Sequence, residues 1–576
     1  MDKSIKPQGL CTRHYLSLLF ISIIGTYYYI IFHGDFILLD DFDVMTRLLN
    51  EHSFSFKDIF FPSALGYYYR PMIELSFRID YLVWLDIASG YHLTNVIMHM
   101  GNAVLVYFIA LILLDKIIKD SKPAAFIAAL LYGLNPLSAE TVCWVSGRSE
   151  LMVSLFLLSS FYLYLRFKRD GEYLQLFFSG LLLFLATITK ETALAFPCIV
   201  IVFEFYFMRT FFHGKEQKSY TAIAYYLILS CGYFVFFRGT GVDTSHLPSA
   251  VNSAGSQQMH LVDSMRILLA SFGFYLKKLI IPYPLNFSIY AIPLTLYSVI
   301  GCVVLALFFT KGLFLPASFR FFVAWVIITV SPAVAAAVLH IPWVPWAERY
   351  LYVPLAGFCM ALGLAFGMMK QNKLAIVAFI LVIGLFWATT ANRAYIWADE
   401  VKLWEDTSRK SEFGTAYYFY GKSLLIRKRD SEGIEQLNKA IAKGYSYHPY
   451  LALSGLALSK GDYDGSEYWL QKAASEFPKK TEIHKYLAEN YLSRVKENDD
   501  GTKYIHKAID EYTLFVANRK DDTAVLLKIA QLYKVVNQRN SAVPFLTRYL
   551  ELTPRSQQAS FAANYLLEIK KGNTAQ

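Results

Sequence analysis

Charge is scarce in most of this 576-residue chain. Asp, Glu, Lys and Arg make up 17% of it, and from about residue 15 to about 390 they are sparse and clustered. An interior that poor in charge, with 55% apolar residues and a mean hydropathy of +0.35, excludes an ordinary water-soluble globular domain over that stretch. Cysteine is thin as well. The six residues Cys11, Cys143, Cys198, Cys231, Cys302 and Cys359 show no CxxC spacing, which argues against a disulfide framework and a zinc site. The apolar runs do not alternate in polarity, and this excludes a β-barrel. No small-residue cleavage pattern follows the first run, so that run reads as an uncleaved span rather than a signal peptide. The net charge is +10. Its basic residues fall in short loops between apolar runs, as topology signals do, and nucleic acid is not expected as a partner.

What is present is a series of long apolar runs. A span takes about 20 apolar residues. Runs at 15–33, 92–114, 123–138, 151–167, 173–189, 192–209, 219–237, 294–310, 321–339, 350–369 and 374–391 predict about eleven helices. Alternating sides from a basic N-terminus (Lys3, Lys6, Arg13) places every short basic loop inside: Lys116, Lys119 and Lys122; Arg166, Lys168 and Arg169; Arg209, Lys215 and Lys218; Lys311 and Arg320; Lys370 and Lys373. This holds if 262–282, with Arg266, Lys277 and Lys278, lies on the outer side as an interfacial or re-entrant helix. The loop 34–90 and the C-terminal region then lie outside.

Charges become frequent after about residue 400, and small and large residues recur there at tetratricopeptide-like offsets. Gly421, Leu424, Gly433, Leu437 and Ala440 form one set; Ser454, Ser466, Leu470, Ala473 and Pro478 a second; Ala488, Tyr491 and Ala508 a stretched third, with an insertion near Asn498; Ala530, Tyr533, Ala542, Leu546 and Pro554 a fourth. Small residues let paired helices cross closely, and stacking buries what no single unit can bury alone. The expected fold is all-α: a polytopic membrane helix bundle over 1–395 followed by a tetratricopeptide-like α-solenoid over 396–576.

Strong polar groups beside a bilayer cost roughly 2.5–3.5 kcal/mol each on insertion scales and mark candidate sites. Here they gather at the ends of spans assigned to the outside. Asp40 and Asp41 directly follow the apolar run 36–39, as a base would, or a helix cap. Tyr67, Tyr68 and Tyr69 lead to Arg70, which suits either a lipid phosphate or a lipid-linked substrate. His92, Asn95, His99 and Asn102 are spaced by three, four and three, so they share one helix face; a polar packing stripe fits this better than a metal site. Glu140, Trp144 and Arg148 recur every fourth residue. Lys190-Glu191 fills a near-absent loop, and Glu348, Arg349 and Tyr350 open the tenth span. No cluster calls for a divalent metal or another cofactor.

Together these segments resemble the GT-C membrane glycosyltransferases, and more closely the transmembrane and tetratricopeptide-repeat proteins grouped with protein O-mannosyltransferases. The carrying residues are Leu39-Asp40-Asp41, Tyr69-Arg70-Pro71, Tyr91 to His99, Asn135-Pro136 with Glu140-Thr141-Val142 and Gly147-Arg148, Lys190-Glu191, and Ala347 to Tyr352. The resemblance implies a polyprenyl-phosphate-sugar donor, an acid in the first outer loop (Asp40 or Asp41), and inverting transfer of a sugar, mannose in the family's name, to a hydroxyl acceptor. With such a donor, its phosphate is expected near Arg70, Arg148 or Arg349. His92, Asn95, His99, Glu140, Trp144, Lys190, Glu191, Glu348 and Tyr350 would line the pocket. The acceptor would be Ser or Thr of a protein held by the repeats. The short repeat tail suggests a bacterial inner-membrane protein rather than one of the endoplasmic reticulum. Two rivals follow from the same residues: transfer to an envelope glycan or lipid, and a non-catalytic membrane-anchored scaffold in which Asp40 and Asp41 are dispensable.

Overall fold

The computed structural model describes residues 11–50, 55–60, 69–211, 216–239, 261–310, 312–341, 344–495, 501–519, 521–553 and 558–574. Lys3, Lys6, Tyr67, Tyr68, Lys215, Lys311, Asn498 and Pro554 lie outside them. Helices dominate the described residues, which contain no strand and one isolated bridge, Ile289 to Trp346. The chain divides into two compact units, Met1–Ser411 and Glu412–Gln576.

In the first unit, α1 (Thr12–His33) leads to three short helices, α2 (Asp40–Asn50), α3 (Phe56–Phe60) and α4 (Pro71–Trp84). Then come α5 (Ala88–Leu114), α6 (Lys122–Gly133), α7 (Ala139–Cys143), α8 (Arg148–Asp170), α9 (Tyr173–Thr187), α10 (Phe196–Phe211) and α11 (Glu216–Gly239). The unit closes with α12 (Leu261–Ile280), α13 (Leu294–Thr310), α14 (Ala317–Val338), α15 (Tyr352–Met369), α16 (Lys373–Trp397) and α17 (Glu400–Lys410).

Among the described residues, six helical segments are long and apolar enough to cross a membrane: Thr12–His33, Ala88–Leu114, Val145–Asp170, Ala317–Val338, Glu348–Met369 and Lys373–Trp397. The bent pair Lys122–Gly133 and Pro136–Cys143 would make a seventh. By length and composition, six or seven of the expected eleven meet these criteria among the described residues, with two shorter apolar helices, Tyr173–Thr187 and Leu294–Phe308, besides. At 1.5 Å per residue, the 15 residues of α9 reach only about 23 Å, short of a hydrocarbon core of about 30 Å.

Helix α5 is central and packs against α1, α6, α8 and α15. Its predicted polar stripe is wholly buried at His92, Asn95, His99 and Asn102. His99 lies between the Tyr352 hydroxyl (2.6 Å) and the Gly133 carbonyl (3.0 Å). Asn102 donates to the Leu151 carbonyl at 3.0 Å and to Tyr352 at 3.2 Å. In a low-dielectric interior such satisfied bonds fix helix register, because a slip would strand each partner.

Helix α12 is not among the helices that meet the crossing criteria. It crosses α13 where Gly273 and Gly301 leave no room for a Cβ; one added at Gly273 would stand 2.0 Å from the Tyr297 carbonyl oxygen.

Helix α4 reverses the usual amphipathic arrangement. Ser76, Phe77 and Asp80 are buried, whereas Ile79, Leu82 and Val83 are exposed, Leu82 by 69%. An element whose charge points inward and whose aliphatic side chains point outward is built for an apolar surrounding rather than water.

Among the described residues the second unit is four successive helical hairpins and a last helix: Gly414–Ile426 with Asp430–Ala442, His448–Ser459 with Tyr463–Glu476, Glu482–Arg494 with Gly501–Asn518, Thr523–Val535 with Val543–Leu552, then Ala559–Thr574. The small residues singled out in the sequence sit where partner helices approach. A Cβ on Gly421 would meet the Gly433 carbonyl oxygen at 2.9 Å. Ser454 and Ser466 hydroxyls are 2.8 Å apart. Ala488, Ala508, Ala530 and Ala542 are fully buried.

Candidate active site

The C-terminal ends of α1 and α16 and the N-terminal ends of α5, α8 and α15 meet at one end of the first unit, and most of the expected site residues gather there. Asp40 and Asp41 open α2 but face different surroundings. Asp41 is fully buried, and three donors hold it: the Ser146 amide (2.8 Å), the Ser146 hydroxyl (2.5 Å) and the Ile37 amide (3.2 Å). Burial outweighs these bonds and pushes its carboxyl up to about 6, with the negative charge of Asp40 adding to the rise. Asp40 is exposed, and its carboxylate makes no hydrogen bond to a described residue. Partial burial raises its pKa; Arg349 and Arg70 oppose the rise and Asp43 adds to it. One acid is a tethered strut and its neighbour an exposed carboxylate within electrostatic reach of two guanidinium groups.

Two cations, Arg349 and Arg70, lie within electrostatic reach of that carboxylate, and Lys190 lies within reach of both arginines. Arg70, at the start of α4, pairs with Glu191 at 2.9 Å. Lys190 pairs with Glu150 and lies 5.6 Å from the centre of the Tyr350 ring. Arg349 grips Glu140 twice, through its guanidinium and through its own backbone amide (3.1 Å to Oε2). Its guanidinium carbon lies 4.9 Å from the Tyr350 ring centre and 5.3 Å from that of Trp144. Glu348 turns away from Arg349 and is buried against Lys278 (2.6 Å) and the Asn286 amide (2.9 Å).

Arg148 stands apart from this group. It is fully buried, and each of its nitrogens is engaged: Nε with Asn95 (2.9 Å), one terminal nitrogen with Ser76 (3.1 Å), the other with the Tyr91 carbonyl (3.2 Å) and Asp80 (2.5 Å). Its place is in the wall behind the site. Asn95 completes that wall, donating to the Trp144 carbonyl at 3.0 Å. His92 reaches only the Asp35 carbonyl, at 3.4 Å. Among the described residues no three His, Cys, Asp or Glu side chains are grouped to hold a metal.

Four contributors went unread in the sequence. Ser146 lies inside a segment singled out for its ends. Glu150 sits just past Gly147-Arg148, and Asp80 lies between the motifs at Tyr69-Arg70-Pro71 and Tyr91 to His99. Lys278 was assigned to an interfacial charge cluster, yet it is buried on Glu348.

The described residues thus define a polytopic helical protein with a mixed-charge cluster at one end of its bundle and a separate unit of stacked helical hairpins. No family model matches the chain. Its curated relatives are protein O-mannosyl-transferases of the group that the motifs resemble. Human protein O-mannosyl-transferase TMTC4 is 25% identical over 443 residues, covering 64% of this chain and 56% of the relative. The Caenorhabditis elegans protein O-mannosyl-transferase F38B6.6 is 26% identical over 363 residues, 58% of this chain and 48% of the relative. Mouse protein O-mannosyl-transferase TMTC3 is 32% identical over 139 residues, 24% and 14%. The chain spans about half the length of the first two and a seventh of the third.

Proposed function

We propose that this protein is a GT-C-type glycosyltransferase that moves a sugar, mannose by analogy with its relatives' names, from a polyprenyl phosphate to a Ser or Thr hydroxyl of an acceptor protein. The observation that carries this reading is the exposed Asp40 carboxylate within electrostatic reach of Arg70 and Arg349, with Lys190 within reach of both arginines. The acceptor oxygen attacks C1 of the sugar on the face opposite the phosphate. The C1–O bond breaks, and its electron pair leaves with the polyprenyl phosphate. The hydroxyl proton passes to Asp40, and Asp41 holds the turn that presents it. Arg70, Lys190 and Arg349 face the charge that grows on the leaving phosphate; Arg148 serves the wall instead.

On this reading the reaction lies on the extracytoplasmic face. The shorter apolar helices Tyr173–Thr187 and Leu294–Phe308 count towards the eleven crossings of the charge rule. The hairpins of the second unit act as a tetratricopeptide-like array that keeps the acceptor near and raises its effective concentration. The relatives' names support a protein acceptor over an envelope glycan.

The test is to incubate the purified full-length protein in lipid nanodiscs with a panel of polyprenyl-phosphate sugars and Ser/Thr peptides. Released lipid phosphate and glycopeptide are read by mass spectrometry. Asp40→Asn should lower transfer by about 100-fold or more while leaving the protein folded. An unchanged rate in the Asp40→Asn, Asp41→Asn double variant would end the catalytic reading and leave the scaffold one.

A further inference from the structure

Asp40 has no side-chain tether, so the placement of its carboxylate depends on the backbone that carries it. That backbone is the turn Phe36–Leu39 between α1 and α2. Its Ile37 amide is held by Asp41 and its Leu39 amide by the Ile37 carbonyl, at 2.7 Å. The amide between them, Leu38 N–H, is held from a distant part of the chain: it donates to Glu400 Oε1 at 2.8 Å, across 362 residues. We infer that Glu400 is a positioning residue, which fixes the turn carrying Asp40 and thereby the aim of its carboxylate; this rests on the catalytic reading of Asp40.

Glu400 is suited to this because its own helix is pinned at both ends. The Asp399 side chain caps α17 by accepting from the Lys402 amide at 3.0 Å. The Trp404 indole N–H also reaches Glu400 Oε1, at 3.3 Å. One turn on, Asp406 pairs with Arg393 of α16 at 2.6 Å. At the far end Lys410 donates to the Leu285 carbonyl at 2.8 Å. Phe287, two residues from Leu285, packs against Trp144, Trp397 and Trp404, with ring centres 5.6, 4.9 and 5.3 Å apart. The Asn286 amide between them holds Glu348, next to Arg349. Helix α17 therefore touches the lead into the acid with its first residue and the loop behind the cations with its last. A helix anchored to both sides keeps base and phosphate-facing groups in register. Misplacing a reacting group by about 1 Å can cost about 100-fold in rate.

The test compares Glu400→Ala, Glu400→Gln and Glu400→Asp with the parent, all full-length in nanodiscs. Hydrogen–deuterium exchange is followed in the peptide covering residues 36–43. A charged acceptor lost from Leu38 N–H should speed exchange there by about tenfold or more in the Ala variant. The Gln variant keeps an acceptor oxygen of the same reach and should exchange like the parent. The Asp variant, one methylene short, should exchange faster than Gln. With a synthetic polyprenyl-phosphate mannose as probe, the Ala variant should lose about 10- to 100-fold in kcat with KM within about twofold, and Gln should recover most of it.

Parental exchange at 36–43 in the Ala variant overturns the inference. So does fast exchange with undiminished kcat, or a Gln variant as impaired as Ala. If the Ala variant does not fold, Asp and Gln decide: equal exchange in those two overturns it. Asp40→Asn run in parallel separates this from the functional reading. Activity retained there removes the catalytic role of Asp40, whatever the exchange shows about the Glu400 contact.

Discussion

Replacing Arg148 with Met should unfold the bundle from its charged end, and the structure allows the size of the effect to be worked. Arg148 is fully buried, and its removal takes the one cation that, among the described residues, pairs with Asp80, which is itself 5% exposed. Asp80 keeps one bond, from the Thr94 hydroxyl at 2.9 Å. Asn95 and Ser76 lose a donor each. Breaking a buried pair by deleting one partner costs about 3–5 kcal/mol, a fall of roughly 100- to 4,000-fold in the folded-to-unfolded ratio at about 1.4 kcal/mol per factor of ten. The sign with pH follows from Asp80. Burial already raises its folded pKa against the pull of Arg148, so as pH climbs through that window the folded state must give up a proton that it holds more tightly than the unfolded chain does. Without Arg148 the window widens upward. The deficit of Arg148→Met should therefore be largest near neutral pH and shrink in acid. The double variant Arg148→Met, Asp80→Asn should recover a large part of the loss, because a neutral amide replaces the stranded charge. The assay is sodium dodecyl sulfate titration in mixed micelles, read by thiol labelling. Cys143 and Cys359 are buried and react only on opening, after the exposed Cys11, Cys198, Cys231 and Cys302. A single variant within about 0.5 kcal/mol of the parent, or strictly additive single and double effects, would refute the reasoning.

Further outcomes are expected. With Asp41 at about 6 against an ordinary value of 3.8, its ionisation weighs against folding as pH rises from about 4 to about 6, so Asp41→Asn should gain stability relative to the parent over that range and keep the gain above it. If the Asp41 carboxylate supports turnover, the rate of lipid-phosphate release should fall as pH drops through about 6. Ser146→Ala removes a bond that lowers the Asp41 pKa and should move that midpoint upward; a downward or absent shift in the pH–rate profile counts against the tether. Gly273→Val should cost about 1–3 kcal/mol or block assembly, because its Cβ meets the Tyr297 carbonyl; parental detergent melting in that variant would show that the α12–α13 crossing can open. Nitroxide labels at Ile79, Leu82 and Val83, in a background lacking the exposed cysteines, should be relaxed by oxygen and shielded from a nickel chelate in liposomes; the reverse pattern would place the outer face of α4 in water.

What could be read from the sequence was local and periodic. The three, four, three spacing of His92, Asn95, His99 and Asn102 put all four on one face, and that face is buried. The paired small residues of the C-terminal region, Gly421 with Gly433 and Ser454 with Ser466, fall at helix contacts as their offsets implied. Both follow from helix geometry, which a string of residues carries directly. What could not be read was which charge meets which. Lys168 was counted as a loop signal, but it is buried 3.0 Å from Glu204. Lys278 was assigned to an interface and Arg148 to a phosphate, yet each is spent on a partner inside the protein. Arg70 and Arg349 carry the same chemistry in sequence and are paired too, with Glu191 and Glu140, yet both stay within electrostatic reach of the exposed acid. Separating the two kinds requires knowing where a carboxylate from another element arrives, as Asp80 does at Arg148 and Glu348 at Lys278, and that is a property of packing. The same holds for the acids. Asp40 and Asp41 are adjacent and identical in type, but a helix start turns neighbouring side chains about 100° apart. One therefore enters the wall to meet Ser146, and the other is left facing the cations.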